Sequence, residues 1–216
     1  MKEAIKGYHL FLPVPWLKWC IYIVYPLVII GAVYLICWEF GTFSGLCVAL
    51  SGCGIVGAEY MLDAFVFGGI ASKETNRLEY LKTSVKGMPL LQKVLIADGV
   101  RRFCSVALIV VGTFATATAD ILSLQIVAYI LIIYCILELG LIILRLFINI
   151  QISLIGSYVG VIFAMIAGFT YSLWQIRIWH LLLLAVLGFG IAWLGRKIII
   201  KKGRDSYYDE PMEKES

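Results

Sequence analysis

Long apolar runs separated by brief polar breaks set the pattern of this chain. A helix crossing a bilayer needs about 20 mostly apolar residues to cover about 30 Å of hydrocarbon. Six runs meet that description, at 19–38, 42–69, 103–119, 121–144, 152–171 and 178–195. Backbone polar groups in lipid must be satisfied internally, so each run is expected to be a helix. The runs are too long and too uniformly apolar for the alternating strands of a barrel. The pattern thus predicts an all-α integral membrane protein of six transmembrane helices. Residues 1–204 form one domain and 205–216 a polar tail.

One stretch between the apolar runs has a pattern of its own. Residues 71–102 are charged, and Leu78, Leu81 and Val85 fall at i, i+3 and i+7 on a single helical face. Ser72 suits the N-cap and Glu74 the first turn. Glu74–Arg77 and Glu79–Lys82 are spaced i, i+3 for support along the helix, and Gly87 and Pro89 end it. A second helix is expected to start near Pro89 and run through Lys93, Asp98, Arg101 and Arg102 into the third span. The amphipathic helix either lies on the headgroups or presents Leu78, Tyr80, Leu81 and their charged neighbours to a partner.

Composition sharpens the class. The 216 residues are 62% hydrophobic and 15% charged, against about 45–50% and about 25% in a soluble domain. With a mean hydropathy of +0.94, these values exclude a soluble globular enzyme, a disordered chain and a nucleic-acid module. The net charge of +4 reflects topology. With both termini inside, 17 of the 18 Lys and Arg residues fall on the inner side, and Arg177 alone falls outside. That asymmetry predicts a multi-pass protein of the cell membrane with cytoplasmic ends. The basic residues then face anionic lipid, not nucleic acid. The six cysteines show no C-x-x-C or zinc-ligand spacing, so no metal site is predicted.

Three acidic residues fall inside apolar runs. Glu59 and Asp63 share a face of the second run at i, i+4, and Glu138 lies in the fourth, two turns before Arg145. Charge inside a bilayer is costly and points to function. Asp63 either reaches the inner headgroup zone or handles an ion or substrate. Glu59 either does the same or pairs with Arg101 or Arg102 at the base of the third span. Glu138 either pairs along its own helix face or makes a polar contact across a dimer. Gly41–Gly45 and Gly156–Gly160 have the G-x-x-x-G spacing that lets helices approach closely.

The segment Asn76-Arg-Leu-Glu-Tyr-Leu-Lys-Thr-Ser-Val-Lys-Gly-Met-Pro-Leu-Leu-Gln-Lys-Val-Leu95, placed between spans two and three of six, resembles the corresponding segment of the permease subunits of bacterial ABC exporters of the type V transmembrane class. Glu79, Leu81, Thr83, Lys86 and Lys93 match the character of that family's signature; the proline common after its threonine is absent, and Val85 stands about there. The resemblance implies a cytoplasmic coupling helix over 72–87, with Glu74, Arg77, Leu78, Glu79, Tyr80, Leu81, Lys82, Thr83 and Val85 facing a separate ATPase subunit. It further implies dimerisation with a second permease subunit. The chain contains no G-x-x-x-x-G-K-[ST] loop, so it is not expected to be an enzyme. It is expected to bind no cofactor, with ATP and Mg on the partner. Two other readings stay open: an ion-coupled secondary transporter, or a non-transporting membrane protein such as an immunity protein. Asp98-Gly99 with Arg101 matches only a fragment of the Asp-Gly-x-x-Ala-Arg of lipid-headgroup transferases, and the further aspartates that chemistry needs are missing.

Overall fold

Apolar runs of this length close their own backbone hydrogen bonds, and every regular element among the described residues is helical. The computed structural model describes residues 2–12, 15–40, 44–67, 87–117, 124–146 and 150–205. In chain order the helices are α1 (Lys2–Phe11), α2 (Leu17–Trp19), α3 (Tyr25–Phe40), α4 (Ser44–Phe67), α5 (Gly87–Ala117), α6 (Leu124–Leu146), α7 (Ile150–Thr170) and α8 (Ile178–Asp205). A π-helical turn, Cys20–Val24, joins α2 to α3. Its cause is in the sequence: Pro26 has no N–H to offer the carbonyl of Tyr22 four residues back, and its ring crowds that carbonyl. The wider turn just before Pro26 relieves both problems.

Five stretches are long and apolar enough to cross a membrane: Leu17–Glu39, Gly45–Ala64, Leu124–Leu146, Ile155–Leu173 and Ile178–Lys202. The protein is therefore a membrane-embedded, multi-pass helical protein. The expected third crossing, 103–119, is not among the five. It forms the second half of α5, whose first half carries Lys93, Asp98, Arg101 and Arg102, so the described apolar part is confined to 103–117. The other expected spans agree with the five stretches in position but shift at their ends. The last helix continues past the expected limit of 195 and carries the basic residues Arg196 to Arg204 on helical turns.

Three helices form the centre: α5 packs against α1, α3, α4, α6 and α8. α6 packs against α4, α5, α7 and α8, while α4 packs against α3, α5, α6 and α7. Helices in lipid gain little from hydrophobic association, so close van der Waals fit has to hold them. The backbones of α4 and α7 come into direct contact. A Cβ placed on Gly168 would lie 2.3 Å from the Cα of Ala49, so no larger residue fits there without moving a helix. Gly140 of α6 and Gly160 of α7 make room for the Tyr60 ring of α4, whose hydroxyl donates to the Ile136 carbonyl at 3.0 Å. Gly160, from the second G-x-x-x-G pair, thus serves packing inside the chain.

The buried side chains form two apolar layers. One includes Val48, Ile55, Val106, Phe114, Tyr129 and Tyr171, with Phe114 and Tyr171 edge to face at 5.1 Å between ring centres. The other joins Tyr8 of α1 to Phe67, Leu91, Leu95 and Ile199. Between the layers, in sequence position on α4, α5 and α6, lie the charges. Trp16, Trp19, Trp38 and Trp179 are exposed near helix ends, where an aromatic belt would meet the interface. Trp174 is partly buried, its indole N–H donating to Thr170 Oγ1 at 3.2 Å.

Candidate functional site: a buried charge cluster

Helical spacing sets up the cluster before any tertiary contact forms. Glu59 and Asp63 lie one turn apart on α4; Asp98, Arg101 and Arg102 fall at i, i+3 and i+4 on α5; Glu138 and Arg145 are two turns apart on α6. Packing of the three helices turns these faces inward together. All seven side chains are buried, Glu59, Asp98 and Arg102 to 1% exposure.

The contacts interlock. Arg101 grips Glu59 with two parallel bonds, Nη1 to Oε1 at 2.9 Å and Nη2 to Oε2 at 2.6 Å. This fork geometry is the strong form of an arginine–carboxylate pair. The same guanidinium reaches Asp98 Oδ1 from Nε at 3.3 Å and from Nη2 at 3.2 Å. Arg102 bonds Asp98 Oδ2, donates to Glu138 Oε1 from Nε at 3.3 Å and from Nη2 at 3.2 Å, and reaches Asp63 Oδ1 at 3.4 Å. From α6, Arg145 Nε donates to both oxygens of Asp63 at 3.1 and 3.0 Å; its Nη2 bonds Asp63 and reaches Asp98 Oδ2 at 2.7 Å. Asp98 is the hub: its carboxylate touches all three arginines.

Four carboxylates meet three guanidiniums in direct contact, leaving one formal negative charge. Arg196 of α8 stands beside it. Arg196 Nη1 and Glu138 Oε1 both lie against Gly99, 3.2 and 3.9 Å from where its Cβ would be. Aromatic rings shield the cluster: Phe67 lies 4.7 Å from the Arg145 guanidinium carbon and Tyr8 5.8 Å from that of Arg101. Burial pushes the Tyr8 phenol well above its usual pKa, so it faces Arg101 as a neutral ring and hydroxyl.

The three acidic residues singled out within the apolar runs all enter this cluster. Glu59 pairs with Arg101, Asp63 with Arg145 and Arg102, and Glu138 with Arg102 across to α5, not with Arg145 along its own helix. From sequence, Asp98 stood only in the ramp into the third span and in a motif fragment, and Arg145 only as a same-helix neighbour of Glu138; neither was expected to pair across helices, although Asp98-x-x-Arg101-Arg102 and Glu138-x6-Arg145 have helical spacing. Glu74, Arg77, Leu78, Glu79, Tyr80, Leu81, Lys82, Thr83 and Val85 lie outside the described residues. Among the described residues no group of His, Cys, Asp and Glu is arranged to hold a metal ion.

No family model, curated protein or solved structure matches this chain.

Chemically, the cluster is a closed set of charge-assisted hydrogen bonds. Its four carboxylates are already engaged by guanidiniums, which suits holding helices in register more than binding a free cation. A buried ion pair adds little net stability over an apolar replacement, but removing one partner leaves an uncompensated charge and costs about 3–5 kcal/mol. The arrangement ties α4, α5 and α6 together through one shared set of ion pairs.

Proposed function

We propose that this chain is the membrane-spanning permease subunit of an ATP-driven ABC transporter, an exporter by its resemblance. It works as a dimer and is driven through the 72–87 segment by a separate ATPase subunit that holds ATP and Mg. Both termini are cytoplasmic, and the apolar half of α5 makes a sixth crossing. The observation that carries this reading is the unbroken course of α5, a 31-residue helix from Gly87 to Ala117. It begins where the coupling segment is placed and passes through Asp98, Arg101 and Arg102.

A helix rises about 1.5 Å per residue, so a push at Gly87 reaches Arg102 about 22 Å away along one rod. There the ion pairs pass it to α4 and α6. The apolar part of α5 is buried on one face at Val106, Ile109 and Phe114 and exposed on the other at Leu108 and Val111, as expected of a crossing that meets lipid along one side. Nucleotide can shift such a permease only if the ATPase grips its two conformations with different strength.

The test is association. Purified in mild detergent, the chain should bring down a soluble subunit bearing the phosphate-binding loop, and Leu81→Asp should abolish that association while leaving the melting temperature of the permease unchanged. Full association in Leu81→Asp contradicts the docking role. Transport driven by a proton gradient with no ATPase present would instead favour the ion-coupled reading.

A further inference from the structure

A second feature lies on the other side of Arg101, between α1, the π turn and α5. A cavity of about 290 Å³ is walled mainly by apolar groups, among them Ile5, Pro26, Val100 and Leu108, and its polar lining is Tyr8, Tyr22, Arg101 and Ser105. Tyr22 is shared with a second cavity of about 260 Å³ that also touches His9, Lys18 and Trp19. The two spaces are thus neighbours, with Tyr22 lining both.

Their chemistries are ordered. Lys18 lies in the first turn of the first membrane-crossing stretch, beside the Trp19 ring, and makes no ion pair among the described residues. The buried Nε2 of His9 has no hydrogen-bond partner, and its ring meets Tyr22 edge-on at 5.9 Å. An orphaned buried nitrogen is uncommon and asks for a partner. Pro26 lies eight residues beyond Lys18, about 12 Å deeper along a helix, and the walls there are apolar. Arg101 does not attract an anion into this inner space, since Glu59 and Asp98 already engage four of its five N–H groups.

We infer that the two cavities form one site for a phosphate-bearing acyl lipid of the membrane, with the phosphate at Lys18 and His9 and one acyl chain passing Tyr22 into the cavity lined by Pro26, Val100 and Leu108. An available ammonium and an unpartnered imidazole nitrogen, followed by a neutralised and apolar interior, reproduce the order of groups in such a lipid. The site does not depend on the transport reading. The lipid would wedge α1 against α5 at the level of the charge cluster, because Arg101 borders both.

The test uses the full chain in neutral detergent titrated with phosphatidylglycerol, with bound lipid counted by native mass spectrometry. One lipid should be retained by the wild type. Replacing both His9→Ala and Lys18→Gln should weaken retention about fivefold or more; Val100→Trp, which fills the apolar cavity, should abolish it; and Leu183→Trp on the exposed face of α8 should leave it unchanged. Melting curves establish that each variant is folded. A fold-independent check uses Cys104, an exposed thiol lining the cavity: phosphatidylglycerol should slow its alkylation by N-ethylmaleimide in the wild type. Equal retention in all variants, or unprotected Cys104, overturns the site and leaves only the ordinary lipid coat.

Discussion

The helices of the bundle centre and those of its outer face are built from similarly apolar sequence, yet they live in different surroundings. In the apolar windows that mark the crossings, 50% of the residues are buried on α4 and 56% on α6, against 17% in each of the first and last. Leu182, Leu183 and Val186 on α8 point outward, as do Leu27, Val28 and Leu35 on α3. The difference is in the charges. The centre carries Glu59, Asp63, Glu138 and Arg145, and α3 keeps its one charge, Glu39, for its last turn. In a bilayer the surface must be apolar and the interior can be polar, provided each ion is paired. Overall hydrophobicity thus finds the crossings, and buried charge finds their centre.

That contrast can be broken most severely at the hub. Asp98→Ala removes the carboxylate shared by three arginines, and destabilisation of about 3–5 kcal/mol is expected; thermal melting in detergent should show little folded protein. Next comes the pair itself. Arg101→Met alone should be strongly destabilising, whereas Glu59→Gln with Arg101→Met should recover a good part of the loss, giving a coupling of about 0.5–3 kcal/mol in a double-mutant cycle. Additive effects would mean that the two groups do not share one bond network.

A packing variant at the centre follows. Gly168→Val places atoms inside the backbone of Ala49, and a loss of about 1–3 kcal/mol is expected from forced separation of α4 and α7. The smallest effect belongs to the outer face: Val186→Ala, 73% exposed, should change the melting free energy by no more than about 0.5 kcal/mol. A large loss there would show that this face is covered by protein, as a dimer interface would be.

Much of this was legible in the chain before folding. The apolar runs located the crossing helices, because hydrocarbon thickness and backbone hydrogen bonding leave few alternatives. The i, i+4 spacing of Glu59 and Asp63 showed that they share a face. What sequence could not give was the rotation of α5 against α6, which alone brings Asp98 to Arg145, 47 residues away. The continuity of α5 was legible too, since a helix from near Pro89 through Lys93, Asp98, Arg101 and Arg102 into the third span agrees with the unbroken course from Gly87 to Ala117; the charged ramp only dilutes the apolar signal of that crossing. The π turn had a local sign in Pro26, but helix periodicity alone does not register a one-residue widening.

The central claim is that α5 conveys force from outside the bilayer through the ion pairs. It is tested most directly by placing spin labels at two exposed positions, Leu108 on α5 and Ile162 on α7, in this chain combined with the proposed ATPase subunit, and measuring their separation with and without ATP. The account predicts a nucleotide-dependent change in distance in the wild type and none in the folded Glu59→Gln, Arg101→Met variant. A separation that ATP leaves untouched in the wild type, or one that shifts equally in the variant, would contradict it.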